Sequence, residues 1–407
     1  MTTNSAHGAS VHPVHRPRTD YALGGESSRR AVEAGLSAAE WYHSEVPRKE
    51  MKALMMRRDG PAMRDTLLWA TLHIVLGGMA IWLAWTGRVW LSVPVWLAYG
   101  VLYGSSCDSR WHECGHGTAF RTGWMNDLVY NIASFQVMRN PVTWRWSHAR
   151  HHTDTYIVGR DAEISWMHPA NLFLKAFTYV GVIEVGKSLC GLARQATGVL
   201  SVAERDYIPE SEWPKVVFAA RVHMGVYATT VLVAVAMLWG GLGWRALIPF
   251  LVIGGPRAYG CWHMMLTIML QHGGLAEDVL DHRLNSRTVL LNPVSRWIYW
   301  NMNYHLEHHM FPMVPYYNLP WLHELIKHDL PPPNTSMWDG YKEMVHAVMR
   351  QRREPGYCHR KVLPPTARAY REELHQEVPE RDGHERDKPG PVGCTAPKCL
   401  DDSREGE

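Results

Sequence analysis

Residues 66–86 read TLLWATLHIVLGGMAIWLAWT, twenty-one positions with no Asp, Glu, Lys or Arg. At 1.5 Å per residue a helix of that length spans about 30 Å, the thickness of a bilayer's hydrocarbon core. Only Gly87 and Arg88 separate it from a second apolar run, VWLSVPVWLAYGVLYGSS at 89–106. Pro94 inside that run is compatible with a span, because neighbouring helices can satisfy the backbone groups it frees. The pair therefore predicts a helical hairpin. Residues 216–239 and 246–270 repeat the pattern across the short turn GGLGWR, and Arg257 and His263 in the last run are expected to face the bundle interior or water.

Working outward, the chain is polar at both ends. Residues 1–40 carry Ser, Gly, His, Pro and Arg without apolar periodicity or a signal-peptide core, and are expected to be a flexible tail. Arg48, Lys49, Lys52, Arg57, Arg58 and Arg64 then crowd before the first run, which holds that side in the cytoplasm by the positive-inside rule. Residues 107–215 are too polar to cross, although DLVYNIASFQVM and ANLFLKAFTYVGVI are amphipathic enough to lie along the interface or dip into it. The expected organisation is a membrane domain at 41–330, a C-terminal cytosolic extension at 331–375 with one helix near 340–353, and a disordered tail at 376–407.

Composition explains why this is not obvious at a glance. Over 407 residues 46% are hydrophobic and 20% charged, an average that resembles a soluble protein because the tails dilute the spans. A net charge of +3, with no basic stripe interleaved with aromatics, argues against a nucleic-acid partner. Seven scattered cysteines form no disulfide framework and read as reduced thiols. Twenty-four histidines and nineteen tryptophans are the outliers, and the histidines are not a tag.

Three histidine clusters stand out: HECGH at 112–116, HARHH at 148–152 and HLEHH at 305–309. Helical residues three or four apart share a face, so His112 with His116, His148 with His151 and His152, and His305 with His308 and His309 each aim at one point. Two spans separate the second cluster from the third. An even number of crossings returns the chain to its starting side, so all eight imidazoles can meet on the cytoplasmic face. The fold class expected is thus an all-α integral membrane protein, four transmembrane helices in two hairpins under a cytosolic helical cap that carries the histidines. Eight imidazoles exceed what one four-coordinate ion uses and point to two metal ions, with iron, zinc and copper all compatible. A rival reading takes His112-Glu113-Cys114-Gly115-His116 as the H-E-x-x-H of a membrane zinc protease with Glu113 as base, and leaves the other clusters unexplained. A metal transporter would place its ligands near the bilayer midplane, whereas these lie outside the spans.

HECGHGTAF, WRWSHARHHTDT and NYHLEHHMFPMVPYYNLP resemble the three histidine boxes of the membrane fatty acid desaturase and hydroxylase family, in the style of its acyl-lipid desaturases, over roughly residues 60–330. The resemblance implies a non-heme di-iron centre that uses O₂, with His272 as a ninth ligand beside the eight box histidines. His263, His282 and His323 compete for that role; the first lies within a span, and the others are expected at the surface or in ordinary hydrogen bonds. Asn301 resembles a family asparagine that reaches the metal through water, and equally suits a turn. Asp161 and Glu163, close behind the second box, suit hydrogen bonds to ligand histidines. Trp144, Trp146, Trp297 and Trp300 are candidate walls of an acyl tunnel or interface anchors.

The function implied is O₂-dependent desaturation of an apolar substrate, a fatty acyl chain first of all, with hydroxylation on the same scaffold as the alternative. Side chains alone cannot break an unactivated C–H bond, so a redox metal pair must supply the oxidising power. No cytochrome heme signature, nucleotide fingerprint or ferredoxin cysteine spacing is present, so electrons must come from a separate ferredoxin or cytochrome-type donor with its reductase. The membrane expected is a bacterial inner membrane, with both termini cytoplasmic.

Overall fold

The computed structural model describes residues 20–168 and 170–371. Among them all regular elements are helical, apart from single antiparallel and parallel bridges, Thr288–Tyr304 and Val289–Asn334. Short helices α1 (Glu26–Glu33) and α2 (Arg48–Leu54) lead into α3 (Asp59–Trp85), whose 27 residues extend about 40 Å. Its burial pattern inverts that of a soluble helix. Ala62, Gly77, Ala80 and Ala84 are buried while Leu67, Ile74 and Trp82 are exposed, the arrangement expected where lipid surrounds large apolar side chains and small ones let helices approach.

Gly87, at φ +80°, turns the chain into α4 (Val89–Gly104), which packs along α3 and passes through Ser105 directly into α5 (Ser106–Gly115). Helices α6 (Gly123–Gln136) and α7 (Pro141–Thr153) follow; Asn140 caps α7 by accepting from the amides of Val142 and Thr143, with Pro141 at its first position. Helix α8 (Leu172–Ala176), with the short turn of 3₁₀ helix behind it, and α9 (Val182–Ala196) form a pair bent by 80° that exposes Phe173, Leu174, Val182 and Ile183. Helix α10 (Val202–Tyr207) starts in a Ser201–Glu204 capping box, and α11 (Trp213–Trp239) repeats the inversion of α3, with Ala220 and Ala234 inside and Phe218, Leu232 and Trp239 outside.

Among the described residues two helices are long and apolar enough to cross a membrane, those containing 66–85 and 213–239, with a third if the bent α8–α9 pair makes one span. This is a coarser result than the four continuous helices expected. The run at 89–106 forms only 16 residues of α4. The run at 246–270 is broken into α12 (Ile248–Val252), α13 (Gly255–Gly260) and α14 (Trp262–His272), because Ile253 is extended, Gly254 takes φ +80° and Pro256 restarts the helix. Beyond lie α15 (His282–Asn285), α16 (Pro293–Ile298), α17 (His305–Met310), α18 (Leu319–Ile326) and α19 (Met337–Gln351). Helix α19, close to the helix expected near 340–353, packs Met344 and Val348 against Met264, Met269 and Leu270 of α14.

The expected tail needs correction from Asp20 onward. Ala31, Leu36 and Trp41 bury against Ile157 and Leu280, and the Tyr21 hydroxyl donates to Glu277 at 2.8 Å. Long-range contacts, absent from any local periodicity, order this polar segment. Residues 1–19 and 372–407, the latter containing the expected disordered tail, lie outside the described residues.

Candidate metal centre

Four helices deliver the histidines. Helix α5 presents His112, with His116 just past its end; α7 presents His148, His151 and His152; α14 ends on His272; α17 carries His305, His308 and His309. The structure gathers all nine into two groups, His112, His116, His148, His152 and His308 in one, and His151, His272, His305 and His309 in the other, each with its ligand atoms within 4.8 Å of one another. In the first group the His112 Nε2 lies 2.7 Å from that of His308 and 3.2 Å from that of His148. The His148 Nε2 is also 3.1 Å from those of His116 and His152. In the second, the His305 Nε2 is 3.0 Å from that of His272 and 2.9 Å from that of His309.

The outward-facing nitrogens show which lone pairs point inward. The Nδ1–H of His148 donates to Glu163 Oε2 at 3.1 Å, that of His151 to Asp161 Oδ2 at 2.8 Å, and that of His272 to the Asn285 carbonyl at 2.7 Å. An imidazole whose Nδ1 holds the proton offers a bare lone pair at Nε2. Several such lone pairs facing one another repel unless a cation lies between them. Nitrogens that bind one ion at about 2.0–2.1 Å must lie within about 4.2 Å of one another, a condition the spacings above meet. Burial keeps His112, His148, His152, His272, His305, His308 and His309 well below the usual imidazole range, and brings His116 to about 4, so these groups stay neutral and available for coordination. His151 moves upward instead: burial is the largest single effect and lowers it, but Asp161 and Glu163 together outweigh burial.

Asp161 and Glu163 thus stand behind His151 and His148, Asp161 also accepting from the Tyr156 and Glu163 amides and Glu163 from the Ser147 hydroxyl. Asp161→Asn is expected to weaken metal retention about 10–100-fold by loosening His151, measured as the chelator concentration that halves metal content. Unchanged retention would reduce Asp161 to a loop-forming role.

Other sequence candidates fare differently. Glu113 is fully buried, accepts from Thr118 Oγ1 at 2.9 Å and from the Tyr316 amide, and turns its other oxygen toward His308 Nδ1 at 3.7 Å. It stands behind a histidine rather than in front of the site, and is no protease base. Asn301 adopts φ +53°, accepts from Arg296 and donates to the Tyr316 carbonyl, contacts that make it a turn former ahead of the third box. His263 bonds Ser295, outside both groups. His282 and His323 are buried, not surface groups: His282 stacks on Trp41 with ring centroids 4.1 Å apart and lies 5.1 Å from His309, and His323 bonds Glu307. Of the two settings expected for them, the surface is the one the structure excludes, and His323 takes the other, an ordinary hydrogen bond. Thr155, 3.3 Å from His309 Nδ1, had a local signal in the HHTDT run.

A cavity of about 430 Å³ opens onto both groups, touching His112 and His148 on one side and His151, His272 and His305 on the other. Trp144 lines it. Trp146 instead lines a separate groove with residues of α6 and α11, while Trp297 and Trp300 pack over the buried Arg110 guanidinium, at 5.3 and 4.8 Å from the ring centroids.

Comparison with known proteins agrees with this geometry. Residues 88–341 match the family model for fatty acid desaturases. The chain belongs to this family. It is 26% identical to the acyl-lipid (9+3)-(E)-desaturase of Dimorphotheca sinuata, over 61% of this chain and 73% of that protein. It is 25% identical to the oleoyl-12-hydroxylase of Ricinus communis, over 63% and 73%, and 26% identical to the sn-1 oleoyl-lipid 12-desaturase of Synechocystis, over 65% and 77%. As a member of the desaturase family the protein is a membrane oxidoreductase of the desaturase and hydroxylase kind, and the protease reading has no support.

Proposed function

We propose that the two histidine groups hold two iron ions, His112, His116, His148, His152 and His308 one of them and His151, His272, His305 and His309 the other, and that the protein desaturates a fatty acyl chain. The observation that carries the proposal is the pair of adjacent all-nitrogen pockets facing one cavity. Iron, when bound, supplies the oxidising power, drawn from O₂ and donated electrons, that side chains lack.

The protein's part is position and exclusion of water. Asp161 and Glu163 hold the tautomer and tilt of His151 and His148. Trp111, Trp144, Leu192 and Ile268 bound the space where a methylene would lie against the centre. Loss of a second hydrogen from the neighbouring carbon yields a double bond, and oxygen delivered to the first carbon yields a hydroxyl. Small shifts of the chain decide between them. We further place four crossings in two hairpins, α3 with α4 and α11 with the α12–α14 series, beneath a cytoplasmic cap in a bacterial inner membrane. The basic residues from Arg48 to Arg64 support that orientation. A separate ferredoxin or cytochrome-type protein delivers electrons.

Elemental analysis of detergent-purified protein tests the reading. Two irons per chain with little zinc is the expected result, followed by an unsaturated product on extraction; a hydroxylated product would move the protein to the hydroxylase side. One zinc and no iron after iron-replete expression would overturn the di-iron proposal.

A further inference from the structure

The cavity beside the histidines is not lined as a sleeve for bare hydrocarbon. Asp108 stands one helical turn before His112 on α5, on the same face, and opens on the cavity while only 8% exposed. Its carboxylate makes no hydrogen bond among the described residues. Arg139, at the end of the turn between α6 and α7, enters the same cavity with its guanidinium 5.4 Å from the Trp111 ring, and it too has no side-chain hydrogen bond there. The two groups are near enough to interact: burial pushes the Asp108 carboxyl up to about 6, and Arg139, then Arg257 of α13, which does not line the cavity, draw it back down. An acid held in so little water without a donor is expensive unless something that enters the cavity provides one.

The chemistry of the pair selects among occupants. A carboxylate headgroup would suit Arg139 but be repelled by Asp108, and by Glu163 beyond it. An ester offers Arg139 an acceptor and Asp108 nothing. A secondary amide satisfies both, its carbonyl accepting from the guanidinium and its N–H donating to the carboxylate. We propose that Asp108 and Arg139 form a polar subsite that grips an amide, so that the substrate is an amide-linked acyl chain oxidised close to its head group rather than far along the chain. The proposal rests on the di-iron oxidase reading for its chemistry, but the subsite is tested without turnover.

The experiment is calorimetric titration of the full-length protein, purified in detergent after iron-replete expression, with N-methyldecanamide, methyl decanoate and decanoate. The amide is expected to bind about tenfold more tightly than the ester, the effect of one hydrogen bond to a charged group. Asp108→Leu should erase that difference, Asp108→Asn should retain part of it, and Arg139→Gln should weaken amide and ester together. Iron content and elution from size exclusion report whether each variant is intact, and the conservative Asn variant decides if the Leu variant does not fold. Equal affinity of the wild type for amide and ester, or an amide preference undiminished in both Asp108 variants, would overturn the subsite. Wild-type protein that prefers the amide yet binds no iron would support the subsite and refute the oxidase reading. Two irons and ester oxidation without amide preference would do the reverse.

Discussion

His308→Ala is expected to reduce turnover below about 1% of wild type, since changing even a residue behind a metal ligand costs 10–100-fold. The Nε2 of His308 lies 2.7 Å from that of His112 and 3.3 Å from that of His152, so its loss opens one side of the five-membered group. It also leaves the Glu113 oxygen, 3.7 Å away and fully buried, facing a void. The second group shares no histidine with the first, so iron should fall by about half rather than to zero. Insertion in the membrane should persist, because α3 and α11 meet lipid through residues far in sequence from His308. The checks are iron per chain, product yield and the membrane-extracted fraction in parallel. Full activity would remove His308 from the ligand set.

The gathering of the eight box histidines was legible because it depends on two things sequence states outright, helical spacing within each cluster and an even number of apolar runs between the second and third. His272 came from resemblance alone, and its placement 3.0 Å from His305 depends on where α14 ends. What could not be read locally was set by contacts across the chain. Trp41 lies in a polar segment and has an ordered place because His282, some 240 positions later, stacks on it. Trp297 and Trp300 resemble tunnel or interface aromatics until Arg110 is seen between them. The break in 246–270 did have a signal, Gly254-Gly255-Pro256, but apolarity over 25 residues hid it: hydropathy measures compatibility with lipid, and backbone geometry decides continuity.

That break gives the second large effect. Helix α13, released from the line of α12, crosses α4 so closely that a Cβ on Gly260 would collide with the Gly100 carbonyl. One on Gly104 would stand 2.5 Å from the Pro256 carbonyl oxygen and 3.0 Å from the Cys261 amide nitrogen. Ser105 locks the crossing, donating to the Gly260 carbonyl at 2.5 Å and accepting from the Met264 amide at 2.9 Å. Close approach through small residues is how helices gain packing where lipid removes the hydrophobic drive. Here it also sets the metal centre, because α4 runs into α5 with His112, and α13 runs into α14 with His272. Gly260→Val must push backbone from backbone, with no flexible side chain to yield, and so falls at or above the upper end of overpacking costs, about 3 kcal/mol. The expected result is a protein that loses monodispersity on mild heating in detergent and carries iron and activity well below wild type. Gly225→Val on α11, where an added Cβ meets nothing within 4 Å, is the matched control and should behave as wild type. If the two variants proved equally stable and equally active, the α4–α13 crossing would not be what holds the two histidine groups in register.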